Sequence, residues 1–326
     1  MEINGYKLIG ELKSDNSGYA KWGFATKNKK TYFIKEFLSP VYPVDSTELS
    51  ADIIASKRAV CAEFETQKKA LYEKLEECNT GNIIIVEDFF RFGNKYYAVT
   101  EKVEHDSIDV EYISQKFNAF QKELLVKVLS YNLNCLHEHG IVHGDIKPDN
   151  VLIKKTLGGY TAKLIDFDSS YLETNPPSFE ELQGDMVYFS PEAFLLIAME
   201  EGIITHKADV FSLGLLFHQY YTGHLPAFDT SKYAYAFEAV LDEQELVIDN
   251  IIPPIIADQI SKMLNKHPAR RPNLSEVFSA ISGKPVVVEK PHEPYTPPHP
   301  KPEDKPTPIT NTGNNFFRKA QDDELL

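Results

Sequence analysis

The chain has 326 residues, 42% of them apolar and 25% charged, with 48 acidic against 34 basic side chains and a formal net charge of −14. That is the balance of a folded protein long enough to bury a large core, not of a fibrous or disordered chain. So acidic a chain lacks the net basic face that nucleic acid or an anionic membrane requires, and three cysteines (Cys61, Cys78, Cys135) without a CxxC pair point to neither a disulfide framework nor a zinc site.

In chain order, the segment MEINGYKLIG carries no basic-then-apolar leader, and no run approaches the roughly 18 apolar residues of a membrane helix. A cytoplasmic protein is expected. Apolar runs at Tyr32-Phe33-Ile34, Ile83 to Val86 and Tyr96 to Val99 predict strands within residues 1–103. One long helical stretch near 48–77 interrupts them, with Cys61, Phe64, Leu71 and Leu75 on one face. Residues 119–282 read as mainly helical: Leu125, Val128, Leu129 and Leu136 form one stripe, and Val210 to Tyr221 is apolar enough to predict a buried central helix. From Gly283 the composition changes, with nine of the twenty prolines falling in residues 285–308. Such a run is predicted to be an extended linker, ending in NNFFRKAQDDELL, where Phe316 and Phe317 could begin a short docking helix. The coarse architecture is α+β, a β-rich lobe with one long helix followed by an α-helical lobe.

The informative segment is IVHGDIKPDNVLI (141–153), followed by KLIDFD (163–168). Asp145 and Asn150 stand five residues apart, and Asp166 follows after a hairpin-sized gap between the apolar runs Val151 to Ile153 and Ala162 to Ile165. This layout can bring three oxygen-bearing side chains to one point. Two of them suit a hard cation such as Mg²⁺, and the third can orient a hydroxyl nucleophile, the equipment of phosphoryl transfer.

These segments resemble the catalytic loop and metal-binding triplet of eukaryotic-type (Hanks-type) serine/threonine protein kinases, with the resemblance running over about residues 6–282. It implies a two-lobed protein-kinase-like fold, with a kinase domain over 1–282 (N-lobe about 1–103, C-lobe about 104–282) and a Pro-rich linker and tail over 283–326. It implies Asp145 as the catalytic base, Lys147 as the lysine steadying the transferred phosphate, and Asn150 and Asp166 as ligands of Mg²⁺ or Mn²⁺. A lysine two residues after the aspartate is the serine/threonine pattern. Tyr-Phe-Ile-Lys35 looks like the strand whose lysine meets the ATP phosphates, and Val99 to Val103 like the adenine-binding linker. Thr100 is then the gatekeeper, and Glu101 and Val103 offer backbone groups to adenine. Ser190-Pro-Glu192, Asp209-Val-Phe-Ser-Leu-Gly214 and Arg271-Pro272 match three further motifs, with Arg271 expected to pair with Glu192. The family also pairs its lysine with a helix glutamate. Glu65 lies about 80° and Glu63 about 120° from the centre of the buried face at ~100° per residue, so Glu65 is the expected partner of Lys35.

Several residues depart from the family pattern. The glycine-rich loop is reduced to Asp15–Trp22 with Gly18 as its one glycine, and Trp22 and Phe33 are larger than the residues usual over adenine. The HRD triplet is His143-Gly144-Asp145, so no arginine is present to grip a phosphorylated activation loop. DFG is Asp166-Phe167-Asp168, which limits backbone freedom there, and Asp185 stands where a threonine is usual; its carboxylate could accept from Lys147 but is expected to repel Asp145. The expected activity is ATP-dependent phosphorylation of protein hydroxyls, with a pseudokinase scaffold as the alternative. An aminoglycoside-type small-molecule kinase ranks lower because the Glu192, Asp209 and Arg271 elements are present. Thr296, Thr307, Thr310 and Thr312 make the tail a candidate autophosphorylated tether for a partner.

Overall fold

The computed structural model describes residues 1–14, 20–44, 50–78, 80–104, 106, 108–200 and 202–283. Short alternating segments form the first lobe: β1 (Glu2–Ile3), β2 (Tyr6–Lys13), β3 (Ala20–Lys27), β4 (Lys30–Phe37), β5 (Val86–Phe92) and β6 (Lys95–Glu101). They make one antiparallel sheet in the order β1-β2-β3-β4-β6-β5. The β3–β4 turn places Asn28 and Lys29 both at positive φ (51° and 64°), the paired left-handed geometry that matches strand twist in a two-residue hairpin.

The register of this sheet builds the roof of the site. Trp22 opposes Lys35, Phe24 opposes Phe33, Phe33 opposes Thr100 and Lys35 opposes Ala98. Residues two apart share a face, so Trp22, Phe24, Phe33, Lys35, Ala98 and Thr100 all look the same way. The opposite face carries Ile34, Tyr97, Val99 and Ala25, which close a second core with Ile3 and Tyr6.

Helix α1 (Ala51–Glu77) lies between β4 and β5; Ser50 caps it by accepting from the Ile53 N–H. Its buried stripe is Cys61, Leu71, Tyr72 and Leu75, and Phe64 packs its ring against Phe37, Phe89 and Tyr96. The expected strand at Ile83 is shorter than predicted. Ile83 makes only a bridge to Leu164, and β5 begins at Val86.

The second lobe contains α2 (Val110–Lys116), α3 (Ala119–Glu138), α4 (Pro191–Met199), α5 (Lys207–Thr222), α6 (Ala236–Leu241), α7 (Pro254–Met263) and α8 (Leu274–Ser282). It also holds two small two-stranded sheets, β7 (Ile141–Val142) with β10 (Tyr171–Leu172), and β8 (Val151–Thr156) with β9 (Gly159–Leu164). Helix α5 is buried along nearly its whole length, as its apolar sequence predicts. Arg271 forks onto Glu192 (Nη1–Oε1 2.5 Å, Nη2–Oε2 2.8 Å) with both side chains buried, the pairing expected for these two residues. Cys78 after α1 and Cys135 and His139 at the end of α3 bring metal-ligating atoms within 4.8 Å of one another, a convergence their spacing did not reveal. The described residues belong to one compact unit. The linker and tail expected after Gly283, and Gly18, lie outside the described residues. No described helix is long and apolar enough to cross a membrane.

Candidate active site

The catalytic loop hangs from a buried carboxylate. Asp209 on α5 accepts from the N–H groups of His143 (2.8 Å) and Gly144 (2.9 Å), and His137 Nε2 lies 3.0 Å from it. Burial works against its charge, but His137 and these donors reverse the effect and hold the carboxyl below its usual range. His143 Nε2 sits 3.1 Å from the Ile165 carbonyl and its ring packs on Phe167, joining this loop to the segment that carries Asp166. Gly144 explains the missing arginine. Its φ is +80°, and a Cβ there would stand 2.6 Å from the Ser169 carbonyl oxygen. The activation segment fills that space, and Ser170 Oγ donates to the His143 carbonyl (2.7 Å).

Asp145 is the hub of the loop. Lys147 Nζ lies 2.8 Å from its Oδ2, Asn150 Nδ2 donates to the same oxygen (2.9 Å), and the Asp185 N–H donates to Oδ1 (3.2 Å). Burial opposes the charge of Lys147, yet the bond to Asp145 raises its pKa. The Asp185 carboxylate accepts from the Val187 N–H (2.9 Å) while its amide faces Asp145, and its charge, near enough to Lys147 to help raise that lysine's pKa, remains in the neighbourhood of Asp145. Asn150 commits its amide nitrogen to Asp145, bonding the carbonyl (2.7 Å) as well as the carboxylate, so its amide oxygen is the group left for a cation. The Asn150 carbonyl accepts from the Ile165 N–H (3.1 Å), which fixes the spacing to Asp166.

Asp166 holds a left-handed backbone (φ 66°), and Lys35 Nζ donates to its Oδ1 (2.6 Å). Burial would raise its pKa, but Lys35 outweighs this and keeps the carboxyl ionised below its usual range. An ionised carboxylate and an amide oxygen are the hard oxygen donors that Mg²⁺ prefers, so the residues present fit that ion.

The expected pairing of Glu65 with Lys35 is not formed. Glu65 Oε1 accepts from the Tyr96 hydroxyl (2.8 Å), and its other oxygen lies 3.6 Å from Lys69. The second acid on Lys35 is Asp168, whose Oδ2 accepts from Nζ at 2.7 Å. From α1 it is Lys68 that reaches the site, donating to the Asp168 carbonyl (2.6 Å). Burial lowers the pKa of Lys68 and raises that of Asp168. Lys35 is also buried, but Asp168 and Asp166 together raise its pKa above the ordinary value. Lys68 could have been found in the sequence, since it falls about 25° from the centre of the stripe defined by Cys61, Phe64, Leu71 and Leu75.

A cavity of about 300 Å³ opens between the lobes, with Lys35, Asp166 and Asp168 at its inner end. Thr100, Glu101 and Val103 line it on one side, Leu152 and Ile165 below. Above lie Trp22, Phe33 and Phe24: Trp22 stacks on Phe33 (5.8 Å, 24°) and Phe24 meets both edge-on. The bulky rings line the cleft and do not fill it. Phe24 and Tyr72, absent from the sequence prediction, also face the cavity. Glu101 is held by Lys163 (2.8 Å), and Thr100 Oγ1 donates to the Glu101 carbonyl (3.3 Å).

A curled antiparallel lobe, a helical lobe and a cleft with an acid-rich loop between them define a two-lobed α+β protein of the kinase type. Residues 44–280 match the protein kinase domain, more than half of the sequence, and the chain belongs to that family. It is 31% identical over 165 residues to MAP kinase-interacting serine/threonine-protein kinase 2 of Xenopus laevis, covering 47% of this chain and 35% of that one. It is 26% identical over 222 residues to serine/threonine-protein kinase TIO of Arabidopsis thaliana (68% and 16%), and 28% over 274 residues to Aurora kinase of Schizosaccharomyces pombe (80% and 68%). The chain thus spans about a third or less of the first two relatives' own length.

Proposed function

We propose that this chain is a serine/threonine protein kinase that transfers the γ-phosphate of ATP to hydroxyl groups of proteins. The observation that carries this reading is the cluster of Asp145, Lys147 and Asn150, tied by one backbone bond to an Asp166 that already contacts Lys35 beside an open cleft. ATP is the substrate for which the cleft is shaped. Its adenine fits between the Trp22–Phe33 rings and Leu152, against the backbone of Glu101 and Val103. Lys35 meets the α- and β-phosphates. Asp145, positioned by Asn150 and the Asp185 amide, orients the incoming hydroxyl and takes its proton as the oxygen–phosphorus bond forms. Lys147 offsets negative charge on the transferred group. Asn150 and Asp166 are the residues that would hold Mg²⁺ or Mn²⁺, which supplies neutralisation of phosphate charge.

Incubation with labelled ATP, Mg²⁺ and a generic protein substrate tests the reading, with Asp145→Asn beside the wild type. Incorporation that drops at least a hundredfold in the variant supports it; equal background from both refutes it. In this reading the activation segment is set by Ser169 packed on Gly144 and by the Ser170–His143 bond, so activity needs no phosphate on that segment. Joint replacement of Ser169, Thr174, Ser178 and Ser190 by Ala, leaving Ser170 in place, is expected to retain activity; loss of activity in a folded variant refutes this. Tail docking of a partner, regulated by autophosphorylation at Thr296 or Thr307, and a cytoplasmic location belong to the same proposal. An unmodified tail on an active enzyme, read by mass spectrometry, removes the autophosphorylation element.

A further inference from the structure

Lys35 has two acidic partners, Asp166 at 2.6 Å and Asp168 at 2.7 Å, and their tasks differ. Asp166 is the carboxylate suited to the metal ion. Once it is drawn to a divalent ion and to phosphates, its charge is shared and it cannot alone fix the lysine. The glutamate expected to do so from α1 is engaged with Tyr96 instead. We propose that Asp168 is the positioning residue for Lys35, and that Lys68 holds Asp168 in place. The acid that the family places on the helix sits here on the loop after Asp166, and the helix contributes a base in return. This inference rests on the kinase reading of the same cleft.

Three observations support it. The Asp168 carboxylate and carbonyl are gripped by different lysines, Lys35 at 2.7 Å and Lys68 at 2.6 Å, so the residue is fixed from both sides. Lys68 lies in the middle of the apolar stripe of α1, where a charged side chain is costly to bury unless it has a partner there. The Asp168 N–H also lies 3.4 Å from Asp166 Oδ1, so the positioning acid and the metal-binding acid are set in one turn of chain. The consequence is mechanical. In the usual arrangement the lysine is released when the helix swings away; here its anchor travels with the loop, and α1 acts on that anchor through Lys68.

The chain's single tryptophan lines the cleft, so Trp22 fluorescence reads nucleotide binding without any need for turnover. In the full chain, Asp168→Asn and Asp168→Gly are each expected to weaken Mg-ATP binding roughly tenfold. kcat/KM for ATP should fall alongside, with KM for the protein substrate unchanged. The decisive variant is the pair Lys68→Glu with Asp168→Gly, which returns the acid to the helix. It is expected to bind Mg-ATP within about threefold of wild type, whereas Lys68→Glu alone should not improve on it. Wild-type binding by Asp168→Gly overturns the proposal. So does a pair as weak as Asp168→Gly alone with an unchanged melting temperature. The isosteric Asp168→Asn keeps the test open if the glycine variant unfolds. A wild type that binds Mg-ATP yet transfers no phosphate refutes the kinase reading instead, while the binding comparison still decides the role of Asp168.

Discussion

Giving Gly144 a side chain should cost this protein its active conformation, even when the new residue is the arginine its family carries. Gly144 holds φ +80°, and a Cβ would stand 2.6 Å from the Ser169 carbonyl oxygen. A non-glycine residue in left-handed backbone costs about 1 kcal/mol. Ordinary contact begins near 3.4 Å, so the Ser169 backbone must retreat by about 0.8 Å. That movement stretches the 2.7 Å bond from Ser170 Oγ to the His143 carbonyl, worth about 1 kcal/mol net. Together these predict a loss of roughly 2–3 kcal/mol for Gly144→Ala, a fall in melting temperature of about 3–6 °C for a domain of this size. Because the displaced segment abuts Asp145, kinase activity should fall more than tenfold. Differential scanning calorimetry with a labelled-ATP assay reads both quantities. Gly144→Arg is expected to behave no better than the alanine variant. An arginine variant with near wild-type activity and a melting temperature within 1 °C refutes this account of the missing arginine.

Arg271→Ala should destabilise by about 3–5 kcal/mol, because it strands Glu192 as a buried charge, the two side chains being 0% and 9% exposed. The pair Arg271→Met with Glu192→Leu should recover most of that loss in urea unfolding, and a single variant costing under about 1 kcal/mol would contradict it. Acid should destabilise the fold from about pH 6.5 downward. Burial lowers the pKa of both His137 and His218, so below the unfolded value near 6.5 the unfolded chain binds protons that the native one does not. Stability is therefore full above that pH and falls by up to about 1.4 kcal/mol per pH unit for each histidine. His218 faces His224 and Asp249, while His137 faces Asp209, His206 and Glu173. His218→Gln should flatten the dependence of the urea midpoint between pH 6.5 and 5.5, and an unchanged slope excludes that residue.

The order and spacing of motifs in the sequence determined the family, the lobe order and the loop residues Asp145, Lys147 and Asn150. Residues that meet within one short loop are close in the chain, so their clustering around Asp145 is legible locally. The same holds for α1, whose apolar periodicity marks its buried face, and for α5, whose near-continuous apolar run marks it as buried almost throughout. What met Lys35 was decided only by the tertiary structure. Looking on the helix for the glutamate nearest the buried face pointed to Glu65 and passed over Lys68, although Lys68 sits nearer the centre of the apolar stripe. The choice depends on how far a long side chain reaches across the gap between α1 and the loop, and on Asp168 already filling the place of the acid. Likewise a glycine in place of arginine reads as a loss until the Ser169 backbone is seen occupying the space, because close approach of two distant segments leaves no mark in either one alone.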